Sequence, residues 1–314
     1  MKNMFQEHIY TVKSPYRDDM HISGLKFGRG SKAACIVGPT RGNEIQQLYI
    51  CSQLVRELSK LEKTGAIINN NEIMVVPTIN QSSINIEKRF WAMDKSDINR
   101  MFPGRADGET TQRIADGVFR AVSGYSYGIQ FASFHTPGEF IPHVRMMETG
   151  HQSTSLANLF GMPYVMTKKP QPFDMSTLNY CWQMDGTNAF SVYTPATDSI
   201  DEVSARQAVT AVLRFLTRMG IIRYNCHSGY IATTIEEEEL MPIKTDVPGI
   251  YRRLKSPGDE VRFGEVLAEI VDPIEGEVIS QILSPSDGII FFAHTKPMVI
   301  QNCVVYKMIR RLHV

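Results

Sequence analysis

Apolar and polar positions along the chain divide it into two regions of different character. In the first two-thirds, short apolar runs alternate with longer amphipathic stripes. Residues 33–37 form an apolar run that stops at Gly38-Pro39, which predicts a buried strand and its exit loop. Residues 44–61 follow with Ile45, Leu48, Cys51, Val55 and Leu58 on one helical face. Further strands are predicted over 73–76, 129–134 and 189–193, and a helix over 110–122. Ser199-Ile-Asp-Glu202 has the spacing of a capping box ahead of the stripe Ala208, Val209, Val212, Leu216 and Met219, closed by Gly220. Strand–helix alternation of this kind implies an α/β domain, a mostly parallel or mixed sheet flanked by helices. Ligands on such sheets bind at the carboxyl ends of the strands. The loops after Val37, Val76, Phe134 and Val192 are therefore the candidate sites.

Near Tyr224 the pattern changes. From Gly229 onward there is no good helical stripe, only short β-type runs broken by Pro248-Gly249, Pro257-Gly-Asp259, Asp272-Pro273 and Pro285-Ser-Asp-Gly288. Regular turn signals predict a smaller C-terminal all-β barrel or sandwich. The chain therefore divides into an α/β domain over 1–224 that carries the site and a β-domain over 225–314. The β-domain resembles biotinyl/lipoyl-type barrels. Its comparable hairpin, Asp272-Pro-Ile-Glu-Gly-Glu277, has no lysine to modify, which makes it a structural appendage and not a swinging-arm carrier.

Length and charge narrow the function. The 314 residues suit two domains, and 43% hydrophobic against 21% charged residues is ordinary for a folded protein. Thirty-three basic residues balance 33 acidic ones, so no charge excess drives binding to nucleic acid. No apolar run is long enough to cross a bilayer and the N-terminus has no signal-like apolar core. Five scattered cysteines without a CxxC pair suit reduced thiols. These features together predict a cytoplasmic protein without membrane or nucleic-acid partners; a homo-oligomer is left open.

Three segments fall on the predicted strand-end loops: Val37-Gly-Pro-Thr-Arg-Gly-Asn-Glu44; Lys88-Arg-Phe-Trp-Ala-Met-Asp-Lys-Ser-Asp-Ile-Asn-Arg-Met-Phe-Pro-Gly104; and Ser133-Phe-His-Thr-Pro-Gly-Glu139 with Ile141-Pro-His-Val-Arg145. Together they resemble the succinylglutamate desuccinylase/aspartoacylase family, of zinc carboxypeptidase-like fold, over essentially the whole chain. Asp97-Ile-Asn-Arg-Met-Phe-Pro-Gly104 is the most specific string. The resemblance implies metal-assisted hydrolysis of an N-acyl amino acid, or of a similar small anionic substrate, by a zinc-bound water. It also implies that Glu44 and His135 are metal ligands, and that Arg89, Asn99, Arg100 and Arg145 hold substrate carboxylates.

Three positions depart from the family pattern. Arg41 stands where the family has its first metal histidine, Ser133 where it has an aspartate, and Tyr193 where it has the general-base glutamate. Arginine has no lone pair to give a metal and stays protonated. Two readings follow. In one the chain is a deacylase-type hydrolase, with zinc on Glu44, His135 and a substitute such as His143 or water. Arg41, Arg89, Asn99, Arg100 and Arg145 then bind substrate, while Tyr193 steadies the oxyanion beside Arg89. In the other it is a metal-free relative that binds a small anion between Arg41 and the clamp arginines. The atom or side chain lying between Glu44 and His135 discriminates between them: a guanidinium there favours the second reading, a metal the first.

Overall fold

The computed structural model describes residues 5–16, 18–134 and 136–311. The chain forms two compact units, one from the residues up to Ser133 together with His143–Thr234, the other from Phe134–Pro142 and Ile235 onward. The changeover after Thr234 lies beyond the change of pattern at Tyr224, and the second unit also takes in a short excursion of the chain between two strands of the first.

The first unit contains β1 (Phe5–Val12), β2 (Met20–Gly28), β3 (Gly30–Val37), α1 (Ile45–Lys63), β4 (Asn70–Val76), α2 (Gln81–Ile84), α3 (Thr110–Val122) and β5 (Tyr127–Ala132). The excursion contributes β6 (Gly138–Phe140) to the second unit. Then come β7 (His143–Met147), α4 (Thr154–Asn158), β8 (Tyr164–Lys168), α5 (Leu178–Met184), β9 (Asn188–Tyr193), α6 (Glu202–Arg218) and β10 (Thr233–Glu236), the strand in which the changeover falls. They build a nine-stranded mixed sheet in the order β1-β2-β4-β3-β5-β9-β7-β8-β10. Its centre is parallel, β3 pairing with β4 and β5, and β5 with β9. The β2/β4 and β9/β7 pairings are antiparallel.

Side chains alternate across this sheet because successive residues of a strand face opposite ways. Ile36, Val75, Ile129, Phe131, Phe190 and Val192 pack on one face against Ile50 and Leu54 of α1 and Val212 and Phe215 of α6. Cys35, Val37, Val76 and Ala189 pack on the other against Ile114 and Val118 of α3 and Leu178 and Trp182 of α5. Helices cover both faces, as the alternation predicts. Burial raises the Cys35 and Cys51 thiols far above their ordinary pKa and Cys181 to about 11, so none is a ready thiolate nucleophile.

Two local expectations are corrected. The predicted strand over 129–134 ends at Ala132, where the chain is about to leave the unit. Helix α6 is capped by Asp201 and not by Ser199: the Asp201 carboxylate accepts from the N–H groups of Val203 and Ser204. Gln46 fixes that register, accepting from the Asp201 N–H at 3.0 Å and donating to its carbonyl at 2.9 Å.

Beyond a single 3-10 turn at Glu237–Glu239, the described residues of the second unit form antiparallel strands β11 (Met241–Lys244), β12 (Gly249–Arg253), β13 (Glu260–Val261), β14 (Val266–Val271), β15 (Val278–Leu283), β16 (Gly288–His294), β17 (Met298–Val299) and β18 (Val304–Arg310). One sheet runs β11-β18-β16-β13, with β6 paired to β16; the other runs β15-β14-β12-β17. Leu267, Ile270, Ile290, Val305, Tyr306 and Met308 fill the space between them, so the unit is a two-sheet sandwich. The lysine-free segment 272–277 is the β14–β15 turn, where the Asp272 side chain accepts from the N–H groups of Ile274 and Glu275. Among the described residues no helix is long and apolar enough to cross a membrane.

Candidate functional site

The loop between β3 and α1 is held by backbone contact with the segment after β4. The Gly38 N–H donates to the Val76 carbonyl at 2.9 Å, the Ile79 N–H to Pro39 at 3.1 Å and the Gly42 N–H to Arg89 at 3.3 Å. A Cβ at Gly42 would stand 2.2 Å from the Ser83 carbonyl carbon and 2.3 Å from the Lys88 oxygen, so only glycine lets the two segments meet. Glu44 occupies the cap position of α1 but gives the helix no side-chain cap. Its carboxylate turns back, and one oxygen, Oε2, accepts from the N–H groups of Thr40 (2.9 Å) and Arg41 (3.1 Å).

The other oxygen, Oε1, meets a guanidinium. Arg41 Nη1 lies 3.2 Å from it, and Ser133 Oγ donates to the same oxygen at 2.6 Å. The remaining edge of Arg41 grips Asp97 Oδ2 through Nε (3.1 Å) and Nη2 (2.9 Å). Arg41 is 4% exposed and Glu44 1%. Burial opposes the charge on Arg41, but Glu44 and Asp97 together outweigh it and hold its pKa above the usual arginine value. Asp97 also shapes its own loop, its second carboxylate oxygen accepting from the Asn99 N–H at 3.1 Å. Its ion-pair partner is thus Arg41, 56 residues earlier in the chain.

The clamp residues gather around this pair. For both Arg89 and Arg100, burial and then the like charge of Arg41 press the pKa down, which places three guanidinium groups within electrostatic reach of one another. Arg100 lies against Phe173, its Cζ 5.2 Å from the ring centre, and donates to the Phe173 carbonyl at 3.2 Å. Asn99 is buried and accepts from Gln130 Nε2 at 3.2 Å. Arg145 reaches the same face through strand register: Gln130 pairs with Ser191, Ser191 with Arg145, and in the next row Tyr193 pairs with His143. His143 stacks on the Tyr193 ring at 4.9 Å and 1°, while Arg145 Cζ lies 5.7 Å from the same ring centre. The structure therefore brings Arg41, Glu44, Arg89, Asn99, Arg100, Arg145 and Tyr193 to one end of one sheet. His135 lies outside the described residues.

The described donors do not form a zinc set. A carboxylate has about four acceptor positions, and those of Glu44 meet two backbone N–H groups, a hydroxyl and a guanidinium. Among the described residues no group of three His, Cys, Asp or Glu side chains is placed to hold a metal. Sequence reasoning missed Gln130 and Ser191. Only their polar character within an apolar strand, at positions facing the site, marks them.

Comparison with known proteins agrees with this architecture. The succinylglutamate desuccinylase/aspartoacylase catalytic-domain profile matches residues 31–217. An N-alpha-acetyl-L-2,4-diaminobutyric acid deacetylase of Halomonas elongata is 23% identical over 274 residues, covering 80% of this chain and 73% of that protein. An aspartoacylase family protein of Mesorhizobium loti superposes with a TM-score of 0.80 at 21% identity, over 100% of this chain and 96% of that one. A succinylglutamate desuccinylase of Silicibacter superposes with a TM-score of 0.78 at 17% identity, over 95% and 91%. This chain belongs to the succinylglutamate desuccinylase/aspartoacylase family of deacylases.

Proposed function

We propose that the site binds a small carboxylate-bearing ligand of the N-acyl amino acid or dicarboxylate class, and that Arg41 takes over the electrostatic place of the metal. The observation that supports this reading is the guanidinium seated on Glu44. A fixed cation there attracts a carboxylate but cannot ionise a water, since it has no coordination position to offer. Arg89 and Arg100 each lose part of their hold on a proton to burial and to the like charge of Arg41, and Arg100 also repels Arg89. A carboxylate between them relieves that repulsion and can meet a planar guanidinium with two parallel hydrogen bonds. Asn99 and Tyr193 supply neutral polar contacts beside it. Replacement of the general-base glutamate by Tyr193 and of the aspartate by Ser133 fits the same change, because each removes a negative charge that served the metal and its water.

A second reading, zinc-dependent deacylation, is favoured by membership of a deacylase family. It requires Arg41 to leave Glu44 so that a metal can enter, and Tyr193 to steady the oxyanion. Calorimetric titration of chelator-treated protein with succinate and N-acetylated acidic amino acids tests the first reading. Binding weakened about tenfold or more by Arg100→Ala, some 1.4 kcal/mol, is expected. Absence of binding to any of these ligands would sink it.

A further inference from the structure

Away from this site, the β1–β2 hairpin carries two histidines side by side, and we propose that they form a surface site for a divalent transition-metal ion. His8 pairs in register with Ser23, and Thr11 with His21, at the edge of the sheet; the two histidines are exposed, Thr11 and Ser23 half-buried. A register shift between His8 and Tyr10 draws the diagonal neighbours together, and the two ring centres lie 4.7 Å apart with a 44° tilt.

Each ring is also anchored at the same atom. His8 Nδ1 lies 3.1 Å from Ser23 Oγ, and His21 Nδ1 lies 3.0 Å from Thr11 Oγ1. Gln6 Nε2 reaches Ser23 Oγ at 3.2 Å and helps to hold it. Nδ1 is the ring nitrogen nearer the backbone, so tying it down at the level of the sheet sends Nε2 toward solvent on both rings. A proton on Nδ1, donated to the hydroxyl, leaves the Nε2 lone pair available. Metal-binding histidines commonly have this outer hydrogen bond, which fixes tautomer and ring orientation.

The spacing fits a chelate. Two imidazoles bound through Nε2 at about 2.0–2.1 Å, with an angle near 95–110° at the ion, have ring centres about 5 Å apart. Imidazole pairs suit Zn2+, Ni2+ and, most strongly, Cu2+, with water completing the shell. No step of the anion-binding proposal depends on this site. It does supply a way for the chain to hold metal that leaves Arg41 on Glu44.

The test is titration of untagged full-length protein with Cu2+ and with Zn2+. One ion per chain is expected, with the electron paramagnetic resonance spectrum of bound Cu2+ showing nitrogen coupling from two imidazoles. His8→Gln or His21→Gln alone should weaken binding about tenfold or more through loss of the chelate. The double variant should abolish it, and Glu44→Gln should leave it unchanged. Both histidines are exposed, and circular dichroism checks that the variants stay folded. Failure of the wild-type chain to bind either ion, or stoichiometric binding that survives the double variant, would overturn the proposal. Loss of metal on Glu44→Gln would instead assign it to the buried site and count against the anion-binding reading.

Discussion

Arg41 and Glu44 are three residues apart and form a buried ion pair, Nη1 to Oε1 at 3.2 Å, with Ser133 closing on the same oxygen. Two of the family's changed positions thus touch one carboxylate oxygen. Both donate to it, so the two side chains are mutually fitted around Glu44.

Breaking that pair from one side should be expensive. Arg41→Ala leaves Glu44 and Asp97 without their buried partner, and a loss of about 3–5 kcal/mol is expected, read by urea unfolding. Adding Glu44→Gln removes one of the stranded charges. The double variant should recover part of the loss, and a double-mutant cycle measures the coupling. A single-variant cost under about 0.5 kcal/mol, typical of a surface change, would mean the pair is not formed in solution.

On the anion-binding reading, reversing the replacements should raise metal affinity at the buried site. Arg41→His with Ser133→Asp restores a ligand and a carboxylate to orient a ligand. Measured in a chain also carrying His8→Gln and His21→Gln, zinc uptake should rise from the parent's level to about one ion per chain. No gain would show that position 41 does not face the metal-ligand direction.

Gly42 is a steric requirement of the site loop. A Cβ there meets backbone atoms of Ser83 and Lys88, which cannot move aside as a flexible side chain would. Gly42→Ala should cost about 1–3 kcal/mol, as for an overpacked core, and should weaken anion binding because Arg41 and Arg89 lie on the two segments pushed apart. Calorimetry with unfolding curves checks both effects.

The second unit has its own pH dependence. Burial pushes the His294 pKa below 6.5; the Pro137 backbone opposes this and Lys296 adds to it. The unfolded chain then takes up this proton more readily than the folded one. Stability from His294 is complete above about pH 6.5 and is lost as pH falls from there through the lower folded-state value. The Tm of wild type should therefore drop more steeply between pH 7.5 and 5 than that of His294→Asn. Parallel curves would contradict it.

Much of the first unit is legible in the sequence because its central strands are fully buried runs ending in Gly or Pro, as at Val37-Gly38 and Val76-Pro77. The outer strands β1, β2, β7 and β8 are not legible in this way. His8 in β1, Lys26 in β2 and Arg145 in β7 interrupt the apolar character of their strands, and Tyr164 and Lys168 at the two ends of β8 are only half-buried. The excursion that places β6 in the second unit leaves no mark either, because pairing with a strand 150 residues later is a tertiary event. Arg41 and Glu44 are three residues apart, a spacing from which an ion pair is legible. Asp97 as the second partner of Arg41 is not, because nothing local in the sequence links the two loops.

The most direct test of the central claim is anion affinity with and without zinc, measured in His8→Gln/His21→Gln protein so that the hairpin takes no metal. The account predicts that succinate or an N-acetylated acidic amino acid binds equally well in chelator and in zinc, and that Arg100→Ala weakens it in both. Binding or hydrolysis that appears only with zinc and vanishes on Glu44→Gln would contradict it.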